Sequence, residues 1–407
     1  MKPGHGILLI FILLNSSIAF SQGRAKQDIN NYITRAEALK DRSMFDGAIA
    51  LYNEALDLDE DYRLFTGRGE ALLGMGDVRA AINDFMKAGM LQPGAGSLGL
   101  ARAYAMINEI EKAISSLEDH LDSDFKLPRR EILLDSSFLY LESTPEWREL
   151  WKASWYTQLE EASQEIEYLV ETAKIAEAEN VLSGIEKLYG EQEEIKYLKG
   201  LIEGARNNVK LSLQYLSGAV AEDNTEYRVW VAYISQLAGN ANYLGAAEAC
   251  ERAFNLYPSK TELILLKSEN LRLAGDRDRA LEAAEFYSEL YPGDEQANRQ
   301  VGLTASEKGE YKKALRYFSE NIDKYPGKAE CFTDRGNIYM RMKSWDAAVY
   351  DFSMALDLWP RDGQTYYNKG LALLNSGKTE EACHDFRMAL RYGYRKASEM
   401  ISRHCIK

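Results

Sequence analysis

Pro258, Pro292, Pro326 and Pro360 stand 34 residues apart and use four of the chain's eight prolines. The same interval joins Ala246, Ala280, Ala314, Ala348 and Ala382, then Gly302, Gly336 and Gly370, then Phe318, Phe352 and Phe386. Four residue types in one register mark a repeated structural unit, and a repeat overrides a domain count taken from length. Within a unit the small residue precedes the Ala by twelve, while the aromatic follows it by four and the Pro by twelve. Pro lacks the N–H a helix needs and clashes with the preceding turn, so it ends a helix. The spacing predicts two helices per unit with the Gly and the Ala on facing helices, where any larger side chain would hold the backbones apart.

This pattern resembles the tetratricopeptide repeat, a helix–turn–helix unit of 34 residues. Gly336, Tyr339, Ala348, Phe352, Ala355 and Pro360 match the family's small, aromatic, small, aromatic, small and Pro positions, and Gly370, Ala382, Phe386 and Ala389 repeat most of them. Gly69, Leu72, Gly76, Ala81, Phe85, Ala88 and Pro93 match in the N-terminal part. Weaker units centre on Ala48, Ala113, Ala178 and Ser212, the last with Gly200 still at its small position. The resemblance implies an all-α fold, a right-handed superhelical solenoid of about ten helix–turn–helix units.

The expected organisation is a signal peptide over 1–21, an N-terminal repeat array over 22–123, an atypical helical junction over 124–158, a second array over 159–394 and a capping helix over 395–407. Lys2, the apolar run Ile7–Leu14, and small Ala19 and Ser21 before Gln22 form the signal pattern. Eight apolar residues rising about 1.5 Å each fall short of about 30 Å of hydrocarbon. The expectation is Sec-type export with cleavage after Ser21 and no stable membrane insertion, leaving a periplasmic or secreted product. With no Cys near the cut, it is not a lipoprotein. In the junction, Ser143 and Thr144 before Pro145 and Glu146 read as an N-cap, a first-turn proline and a capping-box acid. Trp147, Trp151 and Trp155, four apart, are expected on one face of the helix that starts there. They either pack the junction or form an aromatic pocket for a glycan or other small ligand. Beyond it, Ala397, Met400 and Ile401 between charged residues suit a cap on the last unit.

One such unit loses more conformational entropy than its small core returns, so units are stable only when stacked, and stacking creates a long concave surface suited to peptide segments. The resemblance assigns that groove to four positions of each first helix. They are Arg63, Thr66, Glu70 and Leu73 in one unit, and Arg299, Leu303 and Ser306 in another. Glu330, Thr333, Asn337 and Met340 follow, then Gln364, Tyr367, Leu371 and Leu374. Family members that grip a C-terminal carboxylate use Lys, Asn and Arg there; here Asn337 has Thr333 four before it instead of Lys.

A net charge of -14, from 49 Lys and Arg against 63 Asp and Glu, disfavours nucleic acid and anionic membranes. Outside the signal the histidines are His120, His384 and His404. No phosphate-cradling Gly loop, nucleophile elbow or HExxH accompanies them. The expectation is a chain with no enzymatic activity and no cofactor: a protein-binding scaffold of the cell envelope, or alternatively a glycan carrier using the Trp-rich junction.

Cys383-His384 and His404-Cys405 could offer two N and two S ligands to zinc, although neighbours on a helix diverge by about 100° and each pair can direct only one side chain. A disulfide between Cys383 and Cys405 suits an exported chain whose cap packs on the helix holding Cys383. The ending also resembles that of exported bacterial repeat proteins with a Cys at each end of this stretch. Two reduced thiols are the third possibility. Cys250 and Cys331, at positions where a small apolar residue suffices, are expected to be reduced.

Overall fold

The computed structural model describes residues 28–220 and 226–405, and every regular element among them is helical. The expected signal and its cleavage point lie outside the described residues. The chain divides into two compact units, one built from residues up to 241 with 249–261, the other from 242–248 with 262 onward.

In unit 1, α1 (28–41) packs with α2 (Phe45–Leu56), and α3 (Tyr62–Met75) with α4 (Val78–Leu91). The hairpin of α5 (Ser97–Met106) and α6 (Ile110–Leu121) precedes a short α7 (Arg129–Leu134), two 3-10 turns and α8 (Pro145–Leu150). Regular hairpins resume with α9 (Gln158–Glu171) and α10 (Ile175–Tyr189), then α11 (Glu193–Ala205) and α12 (Val209–Ala219), followed by α13 (Tyr227–Gly239). α14 (Tyr243–Leu256) contributes residues to both units. In unit 2, α15 (Glu262–Ala274) pairs with α16 (Arg277–Leu290), α17 (Glu295–Glu307) with α18 (Tyr311–Lys324), and α19 (Ala329–Arg341) with α20 (Trp345–Leu358). α21 (Gly363–Asn375), α22 (Thr379–Arg391) and the cap α23 (Ala397–His404) complete it. Pro258, Pro292, Pro326 and Pro360 each follow the last residue of a second helix by two positions.

The 34-residue register operates through one contact. A Cβ on Gly69 would lie 2.7 Å from the Phe85 ring, on Gly302 2.6 Å from Phe318, on Gly336 2.8 Å from Phe352 and on Gly370 2.7 Å from Phe386. The small residue is therefore required by the ring sixteen positions later. The Ala opposite is buried in every unit from Ala48 to Ala382, with Ser212 taking its place once. Between the two helices of each hairpin one residue turns left-handed: Gly76, Gly275, Gly309 and Gly377 at φ 82 to 87°, but also Ala241 at 56° and Lys343 at 59°.

Unit 1 closes on itself. The Thr34 hydroxyl of α1 donates to the Pro258 carbonyl at 2.9 Å and the Asn30 amide to the Asn255 carbonyl at 3.2 Å, joining residues more than 220 positions apart.

The junction corrects two local expectations. α8 ends at Leu150, so the three tryptophans do not share one continuous helix. Thr144 does cap α8, accepting from the Trp147 N–H at 3.2 Å with Pro145 in the first turn, but the reciprocal capping box belongs to Thr157 and Glu160 at the start of α9. Glu146 stands only two residues past its cap, too near to fold back. Trp147 is buried, Trp151 meets it edge-on at 5.7 Å, and the Trp155 indole N–H donates to the Leu150 carbonyl at 2.7 Å. All three join a core with Ile132, Phe138 and Leu141.

At the C-terminus, Cys383 of α22 and Cys405 after α23 form a disulfide with Cα atoms 5.5 Å apart. That bond uses both sulfurs a zinc site there would need. Cys250 and Cys331 are buried and outside it.

Two substitutions within one repeat unit should act oppositely. Gly336→Ala gains helix propensity but drives a methyl into Phe352, and denaturant titration should show a loss of about 1–3 kcal/mol. Lys343→Gly relieves a left-handed backbone and should gain about 1 kcal/mol. Denaturing titration of the unreduced protein should count two thiols per chain and four after reduction; four before reduction would remove the disulfide.

Candidate functional site

The groove positions expected from sequence lie six and three residues before, and one and four after, the small residue of each unit. The same offsets apply where the sequence pattern is weaker. Around Ile166, Gly200 and Ile234, each twelve before Ala178, Ser212 and Ala246, the twelve positions they select include Glu160, Ser163 and Glu167 of α9, Glu194 and Tyr197 of α11, and Arg228 of α13. These residues converge, and all but Tyr197 line a cleft of about 250 Å3 in unit 1 that is closed on one side by Lys126, Pro128 and Tyr156.

Arg228 is the hub. It donates through Nη1 to Glu167 at 2.5 Å, through Nη2 to Glu194 at 3.0 Å and through Nε to Glu226 at 2.8 Å. Its guanidinium stacks 4.8 Å from the centre of the Tyr197 ring. Tyr197 donates its hydroxyl to Glu167 at 2.8 Å, and Ser163 donates to Glu194. Lys126 pairs with Glu160 at 2.8 Å. Glu160, Glu167, Glu194 and Glu226 therefore share two cations, Lys126 and Arg228, leaving the cleft two charges short of neutral. Burial pushes the Glu194 carboxyl above the usual range despite Arg228, whereas burial acting on Arg228 itself is more than reversed by its hydrogen bond to Glu226 and by the acids around it.

Elsewhere the expected groove residues are mostly engaged within the protein. Arg63 donates to Asp61 and to Asn30 of α1, Thr66 to the Tyr62 carbonyl, and Glu70 pairs with Lys40, which also holds Glu37. In unit 2, Arg299 reaches Asp334 of the next first helix at 2.6 Å, and Asn337 accepts from Asn368 at 3.2 Å. Thr333 donates to the Ala329 carbonyl. Leu303 and Met340 lie partly buried against their unit cores, and Ser306 is buried. Tyr367 packs against Phe386 and Tyr394, and Leu371 and Leu374 join the cluster completed by Met400 and Ile401 of the cap. Glu330 and Gln364 stay exposed.

His120 holds the cleft's side wall. Its Nε2 accepts the Leu127 N–H at 3.1 Å, fixing the loop that delivers Lys126 and Pro128, so its proton sits on Nδ1. Burial, helped by the charge of Arg102, lowers its pKa to about 4. The unfolded chain takes up this proton near pH 6.5 and the folded chain only near 4, so stability is intact above 6.5 and is lost as pH falls between those values. Compared with His120→Gln, the native protein should lose up to about 3 kcal/mol more across that window in denaturant titrations; parallel curves would contradict this.

The tetratricopeptide-repeat family model matches residues 333–397. No curated protein matches the chain. Among solved structures the chain is similar to a tetratricopeptide repeat protein from Parabacteroides merdae, at 16% identity over 60% of this chain and 98% of that one with a TM-score of 0.49. It is similar to the APC/C hetero-tetramer Cut9-Hcn1 at 16% identity over 90% and 82%, TM-score 0.46. It is also similar to yeast Tom70 at 14% identity over 94% and 96%, TM-score 0.39. Residues 333–397 match the tetratricopeptide-repeat family, and the glycine-on-ring contact of those hairpins recurs outside the matched stretch at Gly69 and Gly302.

Proposed function

We propose that this protein is a non-catalytic adaptor of the cell envelope that holds a segment of a partner protein along its first helices. The observation behind this reading is the cleft between α9, α11 and α13, where groove positions from three successive units meet with four carboxylates against two cations. A segment that brings a Lys or Arg side chain to this cleft supplies the missing charge, and the Tyr156 and Leu159 side chains receive its apolar stem. Export rests on the signal pattern of residues 1–21 and is consistent with a disulfide at the C-terminus. A glycan platform at Trp147, Trp151 and Trp155 is less well supported, since those rings complete the junction core.

A photo-crosslinking residue at Gln164, in the cleft wall, should trap a discrete protein adduct in the native envelope, identifiable by mass spectrometry. The same residue at Leu188, exposed on α10, should not. Identical products from both positions, or none from Gln164, would defeat the adaptor reading.

A further inference from the structure

We propose a second docking surface, independent of the groove, that takes a basic amphipathic segment of a partner protein. It is a cleft of about 580 Å3 between the C-terminal halves of α4 and α6. Its apolar side consists of Phe85, Leu100, Met86 and Met90, the two methionines being 45% and 77% exposed one helical turn apart. Methionine is unbranched and polarisable, and adapts to apolar side chains of varied shape. The opposite rim holds Asp119, Asp122 and Asp124, and no Lys or Arg lines the cleft.

These three carboxylates stand where a helix tolerates them least. The C-terminal end of a helix carries partial negative charge and favours cations. The basic residue in the last turn of α6 is His120, which is neutral near pH 7 because burial and Arg102 lower its pKa to about 4. Asp119, Asp122 and Asp124 are exposed and enter no ion pair among the described residues. An apolar floor beside uncompensated acids at a helix C-terminus fits one chemistry: apolar side chains flanked by Lys or Arg. An acidic segment is repelled, and an uncharged one leaves the rim unmatched.

The test uses the mature chain and a fluorescent amphipathic helical peptide of about fourteen residues made of Leu and Lys, with a Leu and Glu counterpart. The Lys peptide should bind saturably and the Glu peptide should not. Asp119→Asn with Asp122→Asn and Asp124→Asn should weaken binding about tenfold, and Met86→Ser with Met90→Ser by a similar factor. Asp57→Asn with Asp59→Asn and Glu60→Gln, exposed acids between α2 and α3, should change it less than about twofold. All replaced residues are solvent-facing, and unchanged helical circular dichroism confirms that the variants fold. No saturable binding, no effect of the methionine pair, or an equal effect of the control triple would overturn the proposal. A dimer that the methionine variant dissociates would assign the cleft to a second copy of the chain and overturn it equally.

Discussion

The contact between a glycine Cα and a phenylalanine ring sixteen residues later sets how close two helices of one hairpin can approach, and the stack depends on that distance. Phe85, Phe318, Phe352 and Phe386 are fully buried, each against a backbone that a single methyl would push away. Among the hairpins that lack the ring, two use another link across the same helix pair. Where Leu216 replaces it, the Ser212 hydroxyl donates to the Gly200 carbonyl at 2.7 Å. Where Ala284 replaces it, Ser268 donates to the Ala280 carbonyl at 2.8 Å. Only backbones already close together let so short a side chain bridge them, so both variations presuppose the spacing the ring establishes elsewhere.

A second constraint runs beside the first. The residues just before the glycine and the phenylalanine form an ion pair in three hairpins: Arg68 with Asp84, Arg335 with Asp351 and Lys369 with Asp385. The acid is nearly inaccessible each time, and a buried carboxylate is tolerated because a cation meets it directly. This matching is local to a hairpin. Around Arg228 it fails, because Glu167, Glu194 and Glu226 come from different stretches of chain and share one guanidinium. The charge imbalance appears where successive hairpins of unit 1 meet.

Much of this was legible in the primary structure. The prolines mark helix ends, the alanines mark buried contacts and the glycines mark the ring sites, because each reflects an interaction between residues within one unit. The doublets Arg68-Gly69 and Asp84-Phe85, repeated at Arg335-Gly336 and Asp351-Phe352, could have revealed the ion pairs as well. The junction was harder to read. Tryptophans four apart suggest one helical face, yet α8 stops at Leu150 and Trp155 returns to the same core by a turn closed through its indole N–H. Sequence spacing cannot distinguish a helix from a turn that brings side chains to the same place.

The sequence by itself determined the unit: its length, its two helices, their closest contact and the side chains aimed along the first helix, all governed by separations of sixteen residues or fewer. The tertiary structure decided what those aimed side chains meet. Small rotations accumulate from hairpin to hairpin, and no local pattern records their sum. That sum brings Thr34 to Pro258, gathers Glu167, Glu194 and Arg228 around one cleft, and leaves Asp119, Asp122 and Asp124 facing two exposed methionines. Charge balance within a hairpin follows from near neighbours, whereas charge balance between distant hairpins follows only from how they stack.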